Sequence, residues 1–355
     1  MKGSVSYPTM HLVVANLAQI LIAALGGLLF YWLGVPAAWL SGSAIAATVW
    51  GLSGHAVHMP RALSDAAMLI SGAAMGAAMT PAAIAAIARY PGSLMLLVIG
   101  VIVISLASTL WLTRISGWRK ADAVLASVPG ALSTVLAVAA DRKADVPSVA
   151  IVQNLRLFVL IALLPSIVVA TGGGEGDPNA LIGQGMPIES PGSMALVLFG
   201  GLALGLVFKR LRVAAPILLG ATIVSAVSHG TELVTGVIPP VIATGGLVLI
   251  GLFIAERFRD IQRSTLRRAL VAALGSFTIG MGIAVIFAIL AAWVADVSFA
   301  NSLVAFAPGG LEAMTVLALV LGLDPLYVGI HHLVRFLGIG LVLPFLIGWL
   351  QRSRA

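Results

Sequence analysis

Apolar runs of about 17–25 residues recur from one end of this chain to the other, each long enough to carry a helix across about 30 Å of hydrocarbon. This pattern restricts the fold more than any other feature. In hydrocarbon every backbone donor and acceptor must be satisfied within the chain, so the runs read as helices. Composition agrees: 60% of the 355 residues are hydrophobic and only 9% are charged. Soluble domains carry roughly 45–50% apolar and about 25% charged residues. The chain is expected to be an all-α integral membrane protein. Its +7 net charge could suggest nucleic acid as a partner. There is no long basic run or zinc spacing to support that, and basic loops are the ordinary mark of a cytoplasmic membrane face. Cysteine is absent, which excludes disulfides, thiolate metal sites and a cysteine nucleophile. The apolar stretch after Met1-Lys2 is longer than a signal-peptide core and is expected to be a retained first span.

Punctuation by Gly, Pro and charge divides the chain into twelve helical segments. Six lie near 10–33, 36–54, 63–79, 92–114, 121–140 and 146–170. Six more lie near 192–208, 214–229, 238–255, 266–295, 299–321 and 325–350. Between them runs a polar, Gly-rich connector, 171–191.

The two sets are copies. "VPGALSTVLAVAADRKADVPSVAIVQNLRLFVLIALLPSIV" aligns without a gap on "APGGLEAMTVLALVLGLDPLYVGIHHLVRFLGIGLVLPFLI". Pro129 falls on Pro308, Asp145 on Asp324, Arg156 on Arg335 and Pro165 on Pro344, each pair 179 residues apart. Ten of the 37 positions from 129 to 165 are identical. Farther upstream, Gly72 falls on Gly251 at the same offset, and Gly42 on Gly220 one residue off it. Residues 1–170 and 192–355 are therefore expected to be two repeats of one membrane domain.

Charge indicates that the repeats are inverted. "FKRLR" at 208–212, "ERFRDIQRSTLRR" at 256–268 and the terminal "QRSRA" are basic, hence cytoplasmic; "SHGTE" and "WVADVSF" are not. Only one crossing fits between Asp296 and the C-terminus, so one of the last two segments fails to cross. Segment 299–321 is the one that holds "APGG", where Pro308 removes a backbone donor and Gly309 and Gly310 loosen the helix. Its copy, 121–140, holds Pro129 and Gly130. The expectation is ten spans plus two broken or re-entrant helices, with both termini cytoplasmic in a bacterial inner membrane.

The final segment of each repeat opens on Asp145 or Asp324, read as helix N-caps with Pro in the first turn. Arg156 and Arg335 lie eleven residues further on, about 16 Å along a helix and near the bilayer midplane. Arginine there must face protein or water. Gln153 precedes Arg156 by three residues, with Asn154 adjacent; His332 and His331 precede Arg335 by three and four, placing them on one helix face. Two readings stay open: an anion clamp, or arginines that tie together the carbonyls of the broken helices. The turns at Gly130, Gly309 and Gly310 would present backbone amides to a negative group. Glu312, with His331, could carry a proton or cation; a Glu312–Arg335 salt bridge is the structural alternative. His55 and His58 lie three apart without an evident third ligand and are read as solvated. No metal site and no cofactor are expected.

These paired motifs resemble the repeated unit of the bacterial AbrB-type membrane proteins. Each unit of that family carries PGG, a following Met or Glu region, an acidic helix start, Gln or His shortly before Arg, and a closing Pro. The first copy here has Ala131 for the second Gly and Ser133 where the second has Glu312. The family carries two inherited labels, regulation of gene expression and an ammonia monooxygenase. The six His do not form the His/carboxylate cluster that copper or iron would need, so no enzymatic activity is expected. The soluble DNA-binding proteins that share the AbrB name are a different group. The expected function is a secondary transporter of a small organic anion or amphoteric metabolite, with its site at the midplane. The alternative is a membrane sensor that influences gene expression without net transport. A small-molecule ligand and the bilayer are the expected partners, and a homo-oligomer is compatible with the sequence.

Overall fold

The computed structural model describes residues 10–55, 58–77, 87–130, 132–141, 144–173, 187–213, 215–259, 261 and 263–352. Ala131, most of connector 171–191, and the terminal and loop charges Lys2, Arg142, Lys143 and Arg354 used in the topology argument lie outside them. The first half contains α1 (Met10–Trp32), α2 (Ala38–Trp50), α3 (Arg61–Ala77), α4 (Tyr90–Leu110), α5 (Lys120–Ser127), α6 (Leu132–Asp141) and α7 (Val146–Ala170). The second contains α8 (Pro191–Arg210), α9 (Pro216–Gly230), α10 (Pro240–Glu256), α11 (Arg263–Ala295), α12 (Phe299–Phe306), α13 (Leu311–Val320) and α14 (Pro325–Arg352). Among the described residues the only extended pairing is an isolated bridge between Ile188 and Val237.

Six of these helices, α1, α4, α7, α8, α11 and α14, are long and apolar enough to cross a membrane. The charge argument counted ten spans; α2, α3, α9 and α10, with 13, 17, 15 and 17 residues, fall below that length. Large apolar side chains face outward on the long helices, among them Leu17, Met95, Phe199 and Trp293. An all-helical chain with such a periphery is a membrane protein. α7 is the most enclosed of the six, with 61% of its apolar window buried against 22% for α1.

Helix starts follow local chemistry. Pro occupies the first helical position of α8, α9, α10 and α14, where its missing N–H costs nothing and its fixed φ suits the helix. Asp145 caps α7 by accepting from Ser148 N–H at 3.2 Å, and Asp324 caps α14 by accepting from Leu326 and Tyr327 N–H at 2.9 and 3.1 Å. Both capping expectations hold. Ala37 and Ala215, just ahead of α2 and α9, are both left-handed, with φ 54° and 44°. That conformation is uncommon for alanine, and the two residues stand 178 apart, the same spacing as Gly42 and Gly220.

Helix pairing repeats as well. α1 packs on α2 and α8 on α9, while α3 crosses to α9 and α10 crosses to α2. At the crossings Gly72 lies against Leu218 and Ala221, and Gly251 against Leu40 and Ser43. Each set maps onto the other by the two offsets. A Cβ at either glycine would collide with backbone. Without a hydrophobic force between helices in lipid, such close approach is how dispersion holds membrane helices together.

Both predicted breaks are present. Segment 121–140 divides into α5 and α6 around Pro129 and Gly130, and segment 299–321 into α12 and α13 around Pro308, Gly309 and Gly310.

Candidate functional site

At each break, helix carbonyls lose their partners, and the following long helix supplies new ones. In the second half Arg335 donates from Nη1 to Ala307 O and from Nη2 to Gly309 O, both at 2.8 Å. His332 Nε2 lies 3.0 Å from Val304 O, and its Nδ1 faces Arg335 Nη2. These partners assign the neutral imidazole with the proton on Nε2, donating to a carbonyl and accepting from arginine. In the first half Arg156 reaches Ser127 O and Val128 O at 3.5 and 3.4 Å. Gln153 Nε2 donates to Leu125 O and Val128 O at 3.0 and 2.8 Å, while its Oε1 accepts from Arg156 Nη2. Leu125 and Val128 stand 179 residues before Val304 and Ala307. Gln153 and neutral His332 are thus chemical equivalents. Each offers one donor to the end of a broken helix and one acceptor to a guanidinium.

Of the two readings left open for the arginines, tying the broken helices together describes where most of their donors go. Buried polar groups require such partners, and Arg156, Arg335, Gln153 and His332 are all at least 94% buried. The ties are incomplete, however. Arg156 Nε and Arg335 Nε are both buried without a hydrogen-bond partner.

The two breaks meet. Gly130 has φ +95°, a conformation essentially reserved for glycine, and a Cβ there would stand 2.9 Å from Arg335 Nε and 3.4 Å from Gly309 O. Beside this junction opens a cleft of about 380 Å³. Gly130, Gln153 and Arg156 line it from one half, and Pro308, Gly309, Gly310 and Glu312 from the other; Phe253 and Arg257 complete it. Glu312 occupies the first turn of α13, where the positive end of the helix favours a carboxylate. Gly310 is extended, and a Cβ on it would meet only Glu312 and Leu157 at 3.7 and 3.9 Å. Alanine fits at that position, in keeping with Ala131 in the other copy.

Glu312 forms no salt bridge with Arg335 among the described residues; the cation interacting with it is Arg257. Sequence reasoning placed Arg257 in a basic loop and missed it. It directly follows α10, its guanidinium 5.2 Å from the centre of the Phe253 ring. Asn154 anchors that turn by donating to Arg257 O at 2.8 Å, and Asn154 does not line the cleft. The cleft thus holds two guanidinium groups and one carboxylate, one net positive charge.

His331 takes a different face of α14. Its Nδ1 bonds Tyr327 O and its Nε2 bonds Ser93 Oγ, both at 2.8 Å, and it is not in the cleft wall with Glu312. His55 stacks on Trp50 at 4.4 Å, and His58 pairs with Glu256 at 2.6 Å rather than standing free in solvent. Ser133 is described only by its backbone. Among the described residues no group of three or more His, Asp or Glu is placed to hold a metal.

The family model described as "Transition state regulatory protein AbrB" matches residues 39–351. An Escherichia coli (strain K12) protein named "Putative regulator AbrB" is 28% identical over 297 residues, covering 80% of this chain and 81% of that protein. No solved structure matches. With paired Pro-Gly breaks, paired arginine ties and a family match over most of its length, the chain belongs to the AbrB family.

Proposed function

We propose that this protein is a secondary transporter of a small organic anion or amphoteric metabolite. The observation that carries the reading is the cleft at the junction of the two breaks, with Arg156, Arg257 and Glu312 in its wall. Two guanidinium groups suit a carboxylate or phosphate, and the adjacent carboxylate suits a second, positive end of the ligand. Helix N-termini facing such a site from discontinuous helices are the usual transporter device for negative groups. In this reading residues 1–170 and 192–355 are inverted repeats of ten spans and two broken helices, joined by an external connector at 171–191. The membrane is the bacterial inner membrane with both termini cytoplasmic. The protein is not an enzyme, and a homo-oligomer is compatible with it. Glu312 is the residue proposed to bind the coupling proton or cation.

The test is a thermal-shift screen of organic anions and zwitterions on purified protein, followed by flux of the hits into proteoliposomes. Arg156→Gln and Arg257→Gln should each abolish binding and flux. A hit that binds and moves equally well in both variants would sink the proposal. A second reading, a sensor acting on gene expression, is favoured by the name of the Escherichia coli relative. Binding without flux, together with altered transcription in a deletion strain, would select it.

A further inference from the structure

The halves match at their breaks but differ where α7 and α14 begin. At α14, Asp324 N–H donates to Asn301 Oδ1 at 2.7 Å, and Asp324 Oδ2 accepts from Tyr90 OH at 3.1 Å. Tyr90 stands edge-on to Tyr327, ring centres 5.0 Å apart, and Tyr327 OH meets Ser302 Oγ at 3.2 Å. Tyr90 and Tyr327 are no more than 1% exposed, and Ser93, one turn deeper on α4, is fully buried.

At α7 the same frame stands without the aromatic rings. Asp145 N–H donates to Asp122 Oδ1 at 3.1 Å, and Asp122 is 179 residues before Asn301. By the same offset, Ala269 takes the place of Tyr90 and Ser148 that of Tyr327. In the space lies a cavity of about 660 Å³, lined by Asp122, Asp145, Ser148, Arg119, Arg268 and Ala269 among others. Its wall carries both signs of charge, as an entrance for a charged or zwitterionic metabolite would.

We propose that this cavity is the open vestibule of the path to the cleft, and that Tyr90 and Tyr327 plug the equivalent vestibule at α14. The inference rests on the inverted-repeat transporter reading, which puts the two vestibules on opposite faces of the membrane. Opening the plug means parting Tyr90 from Asp324, a single hydrogen bond, and swinging one ring out of an edge contact.

The cysteine-free sequence makes single thiols clean reporters, because labelling follows access to the thiolate. Ser148→Cys should react with a membrane-impermeant maleimide from one face of oriented vesicles. Ser93→Cys should resist labelling until Tyr90→Ala is added, then react about ten-fold faster or more from the other face. Ala269→Tyr, which builds the missing plug, should slow labelling of Ser148→Cys by a similar factor. Equal reactivity of Ser93→Cys with and without Tyr90 would overturn the proposal, as would labelling of both thiols from one face. If Ala269→Tyr does not fold, the Tyr90→Ala comparison decides. Flux assayed on the same vesicles is a separate readout. Two-ended labelling without flux would retire the transporter reading and support the open and plugged vestibules.

Discussion

Gly130 lies so close to Arg335 that a Cβ on the glycine would stand 2.9 Å from the arginine Nε, although the two residues belong to different halves of the chain. Each break is thereby fitted to the arginine that ties the other. Gly130→Ala should destabilise the protein by about 1–3 kcal/mol from the φ of +95° alone, with more from the collision. Gly310→Ala should stay within about 0.5 kcal/mol, since its backbone is extended and its space is open. Thermal unfolding of the two variants in detergent measures the difference, and equal losses would contradict this account of the junction.

His332→Gln should leave stability nearly unchanged, because Gln153 already performs the same donor-and-acceptor task in the other half. His332→Leu, which strands Val304 O and one arginine N–H, should cost about 1–3 kcal/mol for each stranded group. A leucine variant as stable as the glutamine variant would show that the tie at His332 carries no load.

Arg335→Lys should fail to replace arginine. The fork reaches Ala307 O and Gly309 O together, whereas a single ammonium on a flexible stem cannot hold that planar geometry. The expected loss is about 1–3 kcal/mol for the carbonyl left unpaired, read as a lower unfolding temperature and a broader size-exclusion profile. A lysine variant indistinguishable from the parent would refute the two-carbonyl tie.

Glu189 precedes α8, with its carboxyl buried 3.4 Å from His229. Burial raises its pKa and the facing His229 lowers it, burial prevailing. A folded pKa above the unfolded value means that folding favours the protonated acid. The stabilising contribution is complete below the unfolded pKa of about 4.3 and is lost as pH rises through the folded value. Glu189→Gln, which imitates the protonated form, should therefore unfold at a higher temperature than the parent near neutral pH and lose that advantage in acid. A variant that is less stable at neutral pH would show that the His229 contact outweighs burial.

The chain taught most where its two copies could be laid over one another. Arg156 with Gln153, and Arg335 with His332, stood out because apolar helices do not carry such groups without cause, and the offset bound them into pairs. The identity of their partners was hidden, because the partners are main-chain carbonyls that every residue type has. Asp122 over Asn301 and Ala269 over Tyr90 were open to the same comparison but lie outside the stretch of strong identity. Arg257 left no trace in sequence. A basic residue at a helix end is ordinary loop charge until α10 is seen to end beside α13, and that placement is set by glycine contacts between distant helices. Local rules found the caps at Asp145 and Asp324 since a cap and its amides are close in sequence. The cleft depends on how two halves dock, and no spacing within one half encodes it.

The glycine seams have a mechanical corollary. Where Gly26 meets Gly42, and where Gly201 and Gly205 meet Ala221 and Gly220, backbone rests on backbone. No rotamer is available at such a seam to take up sliding, so α1–α2 and α8–α9 behave as stiff panels. Any displacement within the protein must then carry each panel whole, hinging at the left-handed Gly34 and Gly54 around one and at Arg212 and Glu232 around the other.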